Sequence, residues 1–518
     1  MKNLAQLLNA LNGFTVKGQT EKPVSSVEYD SRSCQEFSIY VAIPGSTNPP
    51  TDGNVYINDA IRRGAKTIVT DTPDFLAPDD ITIIGVPDAR IALSRISNAF
   101  YDYPSNHLRI FGITGTNGKT STSFLLKAIF DATGEPTGLI GTTGNYIGDE
   151  RIATTHTTPE SPHLCQLLSM MVRRGIRNVV MEVSSHALAL HRVEGIRFAG
   201  ALFTNLTHDH LDFHVSMESY AQAKKHLFDL LPKDAIALAI GDSPYSYLML
   251  SDTKAKEKYR VGRSNAFDIV IDQENYSLSG SSYRLTFAGE IPDFQCTEMQ
   301  IVSPLIGKFN VENSSIAATI AHLMGIDTIT IQYALKSSEG APGRMQRIRL
   351  PNGALVLVDY AHTPDALEKS LSTCKALLNI TGKGRLTVVF GCGGVRDSTK
   401  RPVMGTLAVK LADSVIITDD NPRNEPSETI INDILSGIEQ SDMYKVQTIS
   451  DRFTAISHAL KHSEDREVIL IAGKGHEEYQ IIGDDIIQFS DLGTVRDLIS
   501  TIFLSQHGGD SHGGDSHE

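Results

Sequence analysis

Residues 113–121 read I-T-G-T-N-G-K-T-S, a glycine loop that ends in a lysine and two hydroxyl side chains. In such a loop Gly115, Thr116, Asn117 and Gly118 turn backbone N–H groups toward a phosphate, and the positive end of a following helix adds to the attraction. Lys119 would neutralise the outer phosphates, and the hydroxyl of Thr120, next to Ser121, would ligate Mg²⁺. The loop departs from the general pattern G-x-x-x-x-G-K-[ST], because Ile113 stands where the first glycine belongs.

Two further groupings lie downstream. Glu182 closes an apolar run, N-V-V-M-E, where a strand-end carboxylate can hold Mg²⁺ directly or through water, or can simply cap the next turn. Residues 205–214 read N-L-T-H-D-H-L-D-F-H, with His208, His210, His214, Asp209 and Asp212 packed close together. Zinc is one reading of that cluster. With no cysteine among the residues and a phosphate loop nearby, Mg²⁺ with oxygen ligands and an occasional imidazole is the better one.

These residues need elements that carry them. The apolar run 108–113 reads as a buried strand, and Phe124, Leu125, Ala128, Ile129 and Ala132 mark one face of a helix over 120–133. Apolar strands at 178–183 and 200–206 also end in polar residues. Strands alternating with helices imply a parallel sheet covered on both faces, with ligands beyond the carboxyl ends of its strands. A β-rich interval at 259–305 precedes a helix at 311–324, and further strands fall at 354–358, 386–390, 414–418 and 468–472, each followed by a Gly-, Asp-, Asn- or Arg-rich loop. A smaller leading unit, with the turn Asp30-Ser31-Arg32, a strand at 39–43 and a helix at 57–64, ends in a linker-like D-Y-P-S at 102–105.

The bulk figures agree with such an enzyme. A 518-residue chain is too long for one core. A net charge of −14 argues against an extended nucleic-acid surface. The five scattered cysteines suit reduced thiols in a cytoplasmic setting, and no stretch is long and apolar enough for a membrane span. The segment from 506 to 518, rich in His, Gly and Asp, reads as a disordered tail.

In order, T-G-T-N-G-K-T-S, M-E-V-S-S-H, N-L-T-H-D-H-L-D, Y-x-x-A-K-x-x-L-F, F-N-V-E-N, A-P-G-R, V-D-Y-A-H-T-P-D, F-G-C-G-G-x-R-D, D-N-P-R and G-K-G-H-E resemble the Mur ligase family of peptidoglycan synthesis. The blocks span nearly the whole chain. The resemblance implies an α/β protein of three domains: a small α/β UDP-MurNAc-binding domain at 1–107, a central P-loop parallel-sheet ATPase domain at 108–340, and a C-terminal Rossmann-like α/β amino-acid-binding domain at 341–505. It implies that Lys224 is carbamylated by CO₂ to N6-carboxylysine and, with Glu182, His210 and Thr120, holds Mg²⁺. It also implies that Asn313, Arg344 and Asp359 contact ATP.

Within the family the chain is most similar to members that add meso-2,6-diaminopimelate to the D-Glu γ-carboxylate of UDP-MurNAc-L-Ala-D-Glu. Tyr29, Ser31, Ser46, Thr47, Asn48, Thr157, Thr158, Ser184 and Arg192 match contacts to that substrate. Arg396, Asp420, Asn421, Pro422, Arg423, Gly473 and Glu477 match contacts to diaminopimelate. The arginine of D-N-P-R carries the choice of amino acid, because a guanidinium fork binds a carboxylate bidentately and lysine has no second carboxylate. The same ligase adding L-lysine is the near alternative, and a folate-polyglutamate synthase-like ligase the remoter one. A monomer is expected.

Overall fold

The computed structural model describes residues 1–45, 51–288, 297–382 and 384–504. The chain divides into two compact units, one made of Met1–Asp272, Arg284–Met299 and Glu312–Ala334, the other of Gln273–Tyr283, Gln300–Val311 and Leu335–Glu518. Ser46, Thr47, Asn48 and the tail from 506 onward lie outside the described residues.

The first unit opens with a five-stranded sheet in the order Thr15–Lys17, Thr82–Gly85, Thr67–Thr70, Ile39–Val41, Val27–Glu28. Its first pair is antiparallel and the rest are parallel. Leu4, Leu7, Leu8 and Leu11 pack with the helix Ala89–Phe100 into the core on one face of this sheet. The stretch expected to be a linker is a packed corner: Asp102 and Tyr103 are both left-handed, and Pro104 and Ser105 are buried.

The larger sheet has eleven strands and is mixed. Parallel pairing joins Gly138–Gly141, Asn178–Glu182, Arg109–Thr114, Gly200–Phe203, Ile236–Ile240 and Glu257–Gly262, in that order. Most of these strands are apolar runs because helices such as Lys119–Asp131 and Met217–Asp229 cover their faces, whereas Glu257–Gly262, read E-K-Y-R-V-G, starts exposed. Antiparallel strands Gly144–Ile147 and Glu150–Ile152 finish one edge, so the sheet expected to be parallel is parallel only through its middle. Register sets Glu182 opposite Ile113 and Phe203 opposite Thr114. The carboxyl ends of three neighbouring strands therefore lie level.

The second unit is built on six strands, ordered Gln346–Arg349, Leu355–Asp359, Val468–Ala472, Leu386–Phe390, Ser414–Ile417, Val446–Thr448. Only the first pair is antiparallel. Pairing of Asp359 with Ala472 and of Phe390 with Ile417 brings four polar loops to one sheet edge.

Candidate functional site

The phosphate loop folds as its sequence demands. Gly115 has φ 152° and Gly118 has φ 86°, in the left-handed region that favours glycine. A Cβ on Gly115 would lie 1.9 Å from Thr204 Oγ1, and one on Gly118 would lie 2.4 Å from Asn313 Oδ1. The strand end after Phe203 braces the loop: Thr204 Oγ1 donates to Asn117 O at 2.6 Å, and Asn117 N donates to Asn205 Oδ1 at 3.0 Å. Thr116 Oγ1 accepts from Thr207 N at 3.0 Å and lies 3.1 Å from the Tyr220 hydroxyl. Asn313 also touches the first helical turn, where Thr122 Oγ1 donates to its Oδ1 at 3.3 Å.

Lys119 folds back over the loop and donates to Gly115 O at 2.9 Å and to Thr116 O at 3.0 Å. Lys224 is buried on the helix Met217–Asp229 and donates to the same Gly115 O at 2.8 Å, with its ammonium 4.6 Å from the centre of the Tyr220 ring. Burial, and then the nearby charge of Lys119, push the Lys224 pKa well below the ordinary lysine value. Glu182 is fully buried. Its carboxylate accepts from Thr120 Oγ1 at 2.8 Å, from Thr142 N at 2.9 Å and from Thr142 Oγ1 at 3.2 Å. Among the described residues no cationic side chain pairs with Glu182, and a buried carboxylate in that state suits a metal cation.

The histidine-rich segment does several things at once. His214 Nε2 lies 2.9 Å from Ser185 Oγ, and its ring stacks on Tyr220 with centroids 4.9 Å apart. His210, at φ 52°, has Nε2 3.5 Å from Asp209 and its ring 4.9 Å from that of His186. His214 is thus a packed core residue, whereas His210 is half-exposed at the rim.

In the same unit a cleft of about 850 Å³ holds Tyr29, Ser31 and Arg192 in its lining. Its lining includes a buried cluster in which Arg192 was expected from sequence, but Arg90 and Glu160 were not. Arg192 Nε donates to Glu160 Oε1 at 2.9 Å, and Arg90 Nη1 lies 3.6 Å from the same oxygen. Two buried guanidiniums share one carboxylate and leave a net positive charge, which suits an anionic group. Thr158 and Ser184 serve the scaffold as well: Thr158 Oγ1 bridges Glu182 O and Ser184 N at 2.9 and 3.1 Å, and Ser184 Oγ caps the helix Ser185–Ala189. Thr157 Oγ1 lies 3.1 Å from Thr142 Oγ1, next to Glu182. The Ser31 hydroxyl is held by Asp59 at 2.8 Å.

In the second unit the D-N-P-R and G-K-G-H-E loops form a network. Asn421 donates to Glu477 Oε2 at 2.9 Å, and Lys474 donates to Asn421 Oδ1 at 3.1 Å and Glu477 Oε2 at 3.0 Å. Lys474 was not foreseen as a site residue, although its motif was visible. It is fully buried and already neutralises Glu477. Gln480 fastens the loop by donating to Asp420 O at 2.8 Å, and burial pushes the Asp420 carboxyl above its ordinary pKa. A Cβ on Gly473 would come within 3.3 Å of Asp420 Oδ2.

Arg423 stands at φ 53°. Its backbone N donates to Ile481 O at 3.0 Å, and its Nη1 donates to Gly394 O and Asn421 O at 3.2 and 3.3 Å. Glu425, two positions along the chain, is taken by Arg401 in a two-pronged ion pair at 2.6 and 2.7 Å, which holds the Glu425 carboxyl down to about 2. Among the described residues no carboxylate pairs with Arg423. Arg396 is exposed on the adjoining loop, with Cγ 3.6 Å from the position of a Gly393 Cβ. Asp359 organises its own turn, accepting from Met345 N at 2.8 Å, Ser370 Oγ at 2.9 Å and Ala361 N at 3.2 Å. The Arg344 guanidinium lies over the Tyr360 ring at 4.7 Å.

A glycine loop at the carboxyl edge of a parallel sheet, with a buried lysine and a buried carboxylate behind it, defines a nucleotide-phosphate-binding α/β protein. The Mur ligase middle domain profile matches residues 113–321, and the Mur ligase glutamate ligase domain profile matches 343–475. The chain belongs to the Mur ligase family. It is 40% identical over 497 residues to a UDP-N-acetylmuramoyl-L-alanyl-D-glutamate–2,6-diaminopimelate ligase of Caldanaerobacter subterraneus subsp. tengcongensis, covering 96% of this chain and 99% of the relative. A protein of the same name from Phocaeicola vulgatus is 40% identical over 498 residues, with 96% and 99% covered. A solved structure of a ligase of that name superposes with a TM-score of 0.69 at 32% identity, over 97% of this chain and 99% of that one. A folylpolyglutamate synthase of Thermotoga maritima, 16% identical with a TM-score of 0.57, covers 75% of this chain and 90% of its own and shares the fold alone.

Proposed function

We propose that this chain is an ATP-dependent ligase that joins meso-2,6-diaminopimelate to the D-Glu γ-carboxylate of UDP-MurNAc-L-Ala-D-Glu, a step of peptidoglycan precursor synthesis. The observation that carries the choice of amino acid is Arg423. Its guanidinium is oriented by two carbonyls, lies beside the Asn421–Lys474–Glu477 network and has no carboxylate partner among the described residues. Diaminopimelate brings a distal carboxylate to such a fork, whereas lysine brings none.

A carboxylate resists attack by an amine, so it must first be activated. The γ-phosphoryl group of ATP passes in line to a γ-carboxylate oxygen, releasing ADP and leaving an acyl phosphate. The diaminopimelate amine, having lost its proton, attacks the carbonyl carbon, and the tetrahedral intermediate expels inorganic phosphate to leave the amide. Lys119 follows the charge on the transferring group, and the amides of 115–118 hold the remaining phosphates. Asn313, Arg344 and Asp359 are assigned to the nucleotide, and the Arg90–Glu160–Arg192 cluster, with Tyr29 and Ser31, to the UDP-linked substrate. Arg396, Asp420, Pro422 and Gly473 shape the amino-acid site.

Thr120, Glu182, His210 and Lys224 would hold Mg²⁺, which when bound supplies positive charge beside the phosphates. Burial that depresses the Lys224 pKa favours the neutral amine, the form that adds to CO₂. The N–C bond forms as the nitrogen loses a proton, and a carboxylate-like ligand replaces a cation that would repel the metal. We divide the labour as UDP-substrate binding by 1–107, ATP binding by 108–340 and amino-acid binding by 341–505, in a monomer working in the cytoplasm. No helix among the described residues is long and apolar enough to cross a membrane.

Purified protein supplied with ATP, Mg²⁺ and UDP-MurNAc-L-Ala-D-Glu should release ADP and phosphate with meso-diaminopimelate and far more slowly with L-lysine. Faster turnover with lysine would overturn the choice of amino acid. No turnover with either would overturn the ligase reading.

A further inference from the structure

His191, Glu194 and His226 lie within the first unit but apart from the phosphate loop, and among the described residues they are the grouping whose metal-ligating atoms converge, all within 4.8 Å of one another. Glu194 Oε2 is 3.5 Å from His226 Nε2 and 3.9 Å from His191 Nδ1. Those separations are too long for good hydrogen bonds. They are close to the spacing of about 3.3 Å between ligand atoms that surround a tetrahedral zinc at about 2.0–2.1 Å.

The two facing imidazole nitrogens, His191 Nδ1 and His226 Nε2, are out of reach of water and, among the described residues, face only the Glu194 carboxylate, at distances beyond a good hydrogen bond. Left so, each is a buried polar atom that costs stability. The rings stand at 85° with centroids 5.6 Å apart, edge to face rather than stacked. The other Glu194 oxygen, Oε1, lies 3.6 Å from Arg95, which fixes the carboxylate from behind as outer partners of metal ligands do. The Glu194 backbone carbonyl is anchored by Ser94 Oγ at 2.5 Å and Asn98 Nδ2 at 3.2 Å. His191 itself occupies a left-handed position, φ 53°, directly after the helix Ser185–Ala189 and its cap Leu190. Glycine is the residue that fits there without strain.

We propose that His191 Nδ1, Glu194 and His226 Nε2 form a second divalent-metal site that takes a borderline ion such as Zn²⁺, with water completing its shell. Two imidazoles and one carboxylate suit zinc far better than Mg²⁺, which prefers an all-oxygen shell. The facing nitrogens are themselves shielded, while the rest of each histidine side chain is partly exposed. The role is mechanical. His191 precedes Arg192 of the UDP-substrate cleft, and His226 lies two residues beyond Lys224 on its helix. A bound ion ties the substrate-binding turn to the helix that carries Lys224.

The test uses the full-length protein, stripped with a chelator and titrated with Co²⁺ or Zn²⁺ in excess Mg²⁺. Co²⁺ reports a tetrahedral site by its visible absorption, and Zn²⁺ binding is read by calorimetry and by the shift in Tm. The tail's own histidines, His507, His512 and His517, are replaced by serine in a control variant, so that they cannot be mistaken for the site. The expected result is a site that survives in the tail variant and weakens about tenfold or more in His226→Gln and in Glu194→Gln. Metal-free melting curves check that both variants fold, and should Glu194→Gln not fold, His226→Gln decides. The proposal is overturned if wild type and His226→Gln bind equally, if binding vanishes with the tail histidines, or if no ion binds against Mg²⁺.

Discussion

Lys119 and Lys224 donate to one and the same carbonyl oxygen, that of Gly115, at 2.9 and 2.8 Å. Two amines 105 positions apart in the chain are thus brought to a single acceptor at the heart of the phosphate loop. Both cannot comfortably carry a charge there, and Lys224, the fully buried one, is the one driven toward the neutral form. The loop is then flanked by two unlike lysines, Lys119 half-buried and Lys224 fully buried.

Lys119→Ala should fold normally and lose about two to three orders of magnitude in turnover, the scale of removing one charge-stabilising group from a transition state. The check is steady-state ADP release alongside circular dichroism. A variant with near-wild-type turnover would show that the loop does not act on the γ-phosphate.

Lys224→Ala should be inactive and should regain part of its activity with a small carboxylic acid, in a manner that requires Mg²⁺. Mass spectrometry of the intact wild-type protein prepared in bicarbonate should find the carbamate's added mass, absent from the variant. Full activity of Lys224→Ala without rescue would remove the modified lysine from the mechanism.

The depressed pKa of Lys224 also has a sign in stability. Between its folded pKa and the ordinary lysine value of 10.5, the unfolded chain binds a proton that the folded chain does not. Unfolding free energy from this group therefore rises with pH across that window, by roughly one kcal/mol per pH unit. Below the folded pKa its burial is a fixed penalty. In CO₂-free buffer, wild type should gain stability relative to Lys224→Met as pH rises toward 10.5, and parallel pH curves for the two would contradict the neutral amine.

Beneath the D-N-P-R and G-K-G-H-E loops Arg452 and Asp491 form a fully buried two-pronged ion pair at 2.7 Å. Arg452 also donates to Asp419 O at 3.2 Å and Ala472 O at 3.0 Å, so it ties the D-N-P-R loop to the strand before G-K-G-H-E. Asp491→Asn should destabilise the protein by about 3–5 kcal/mol, because it strands a buried guanidinium. Urea unfolding followed by intrinsic tyrosine fluorescence measures this, and a loss under one kcal/mol would show that the arginine finds water or another partner.

What the sequence made legible was local. The strand Leu386–Phe390 and the strand Val468–Ala472 stand where their apolar runs put them, and the loop at 113–121 follows its strand because glycine and lysine in that order have few other uses. Helix ends moved by one to three residues, as at Lys119–Asp131 and Lys308–Leu323, because apolar spacing marks the face of a helix and not its ends. The antiparallel edge at Glu150–Ile152 was missed because an exposed three-residue strand carries no alternating signal. Arg90, Glu160 and Arg192 are separated by 70 and 32 positions, and only the packing of helices brings their charges together. Thr158 and Ser184 matched a binding pattern, yet their hydrogen bonds show that they also build the turn behind Glu182.

Arg423→Ala tests the choice of amino acid most directly. The guanidinium is oriented by the carbonyls of Gly394 and Asn421, and its left-handed backbone is strain of the kind that persists where surrounding structure holds it. Losing the partner of a desolvated carboxylate costs ~2–5 kcal/mol when the charge stays buried. At about 1.4 kcal/mol per factor of ten, that is about 30-fold to several thousand-fold in affinity. KM for diaminopimelate should rise by that factor, with KM for ATP and for the UDP-peptide little changed, because neither reaches this loop in the proposed arrangement. Lysine, lacking the distal carboxylate, should be used no worse than before. Lys474 already neutralises Glu477, so the loss of Arg423 should not be made good by a neighbouring cation. Unchanged diaminopimelate kinetics in Arg423→Ala would place the distal carboxylate elsewhere, with Arg396 on the adjoining loop as the next arginine to substitute.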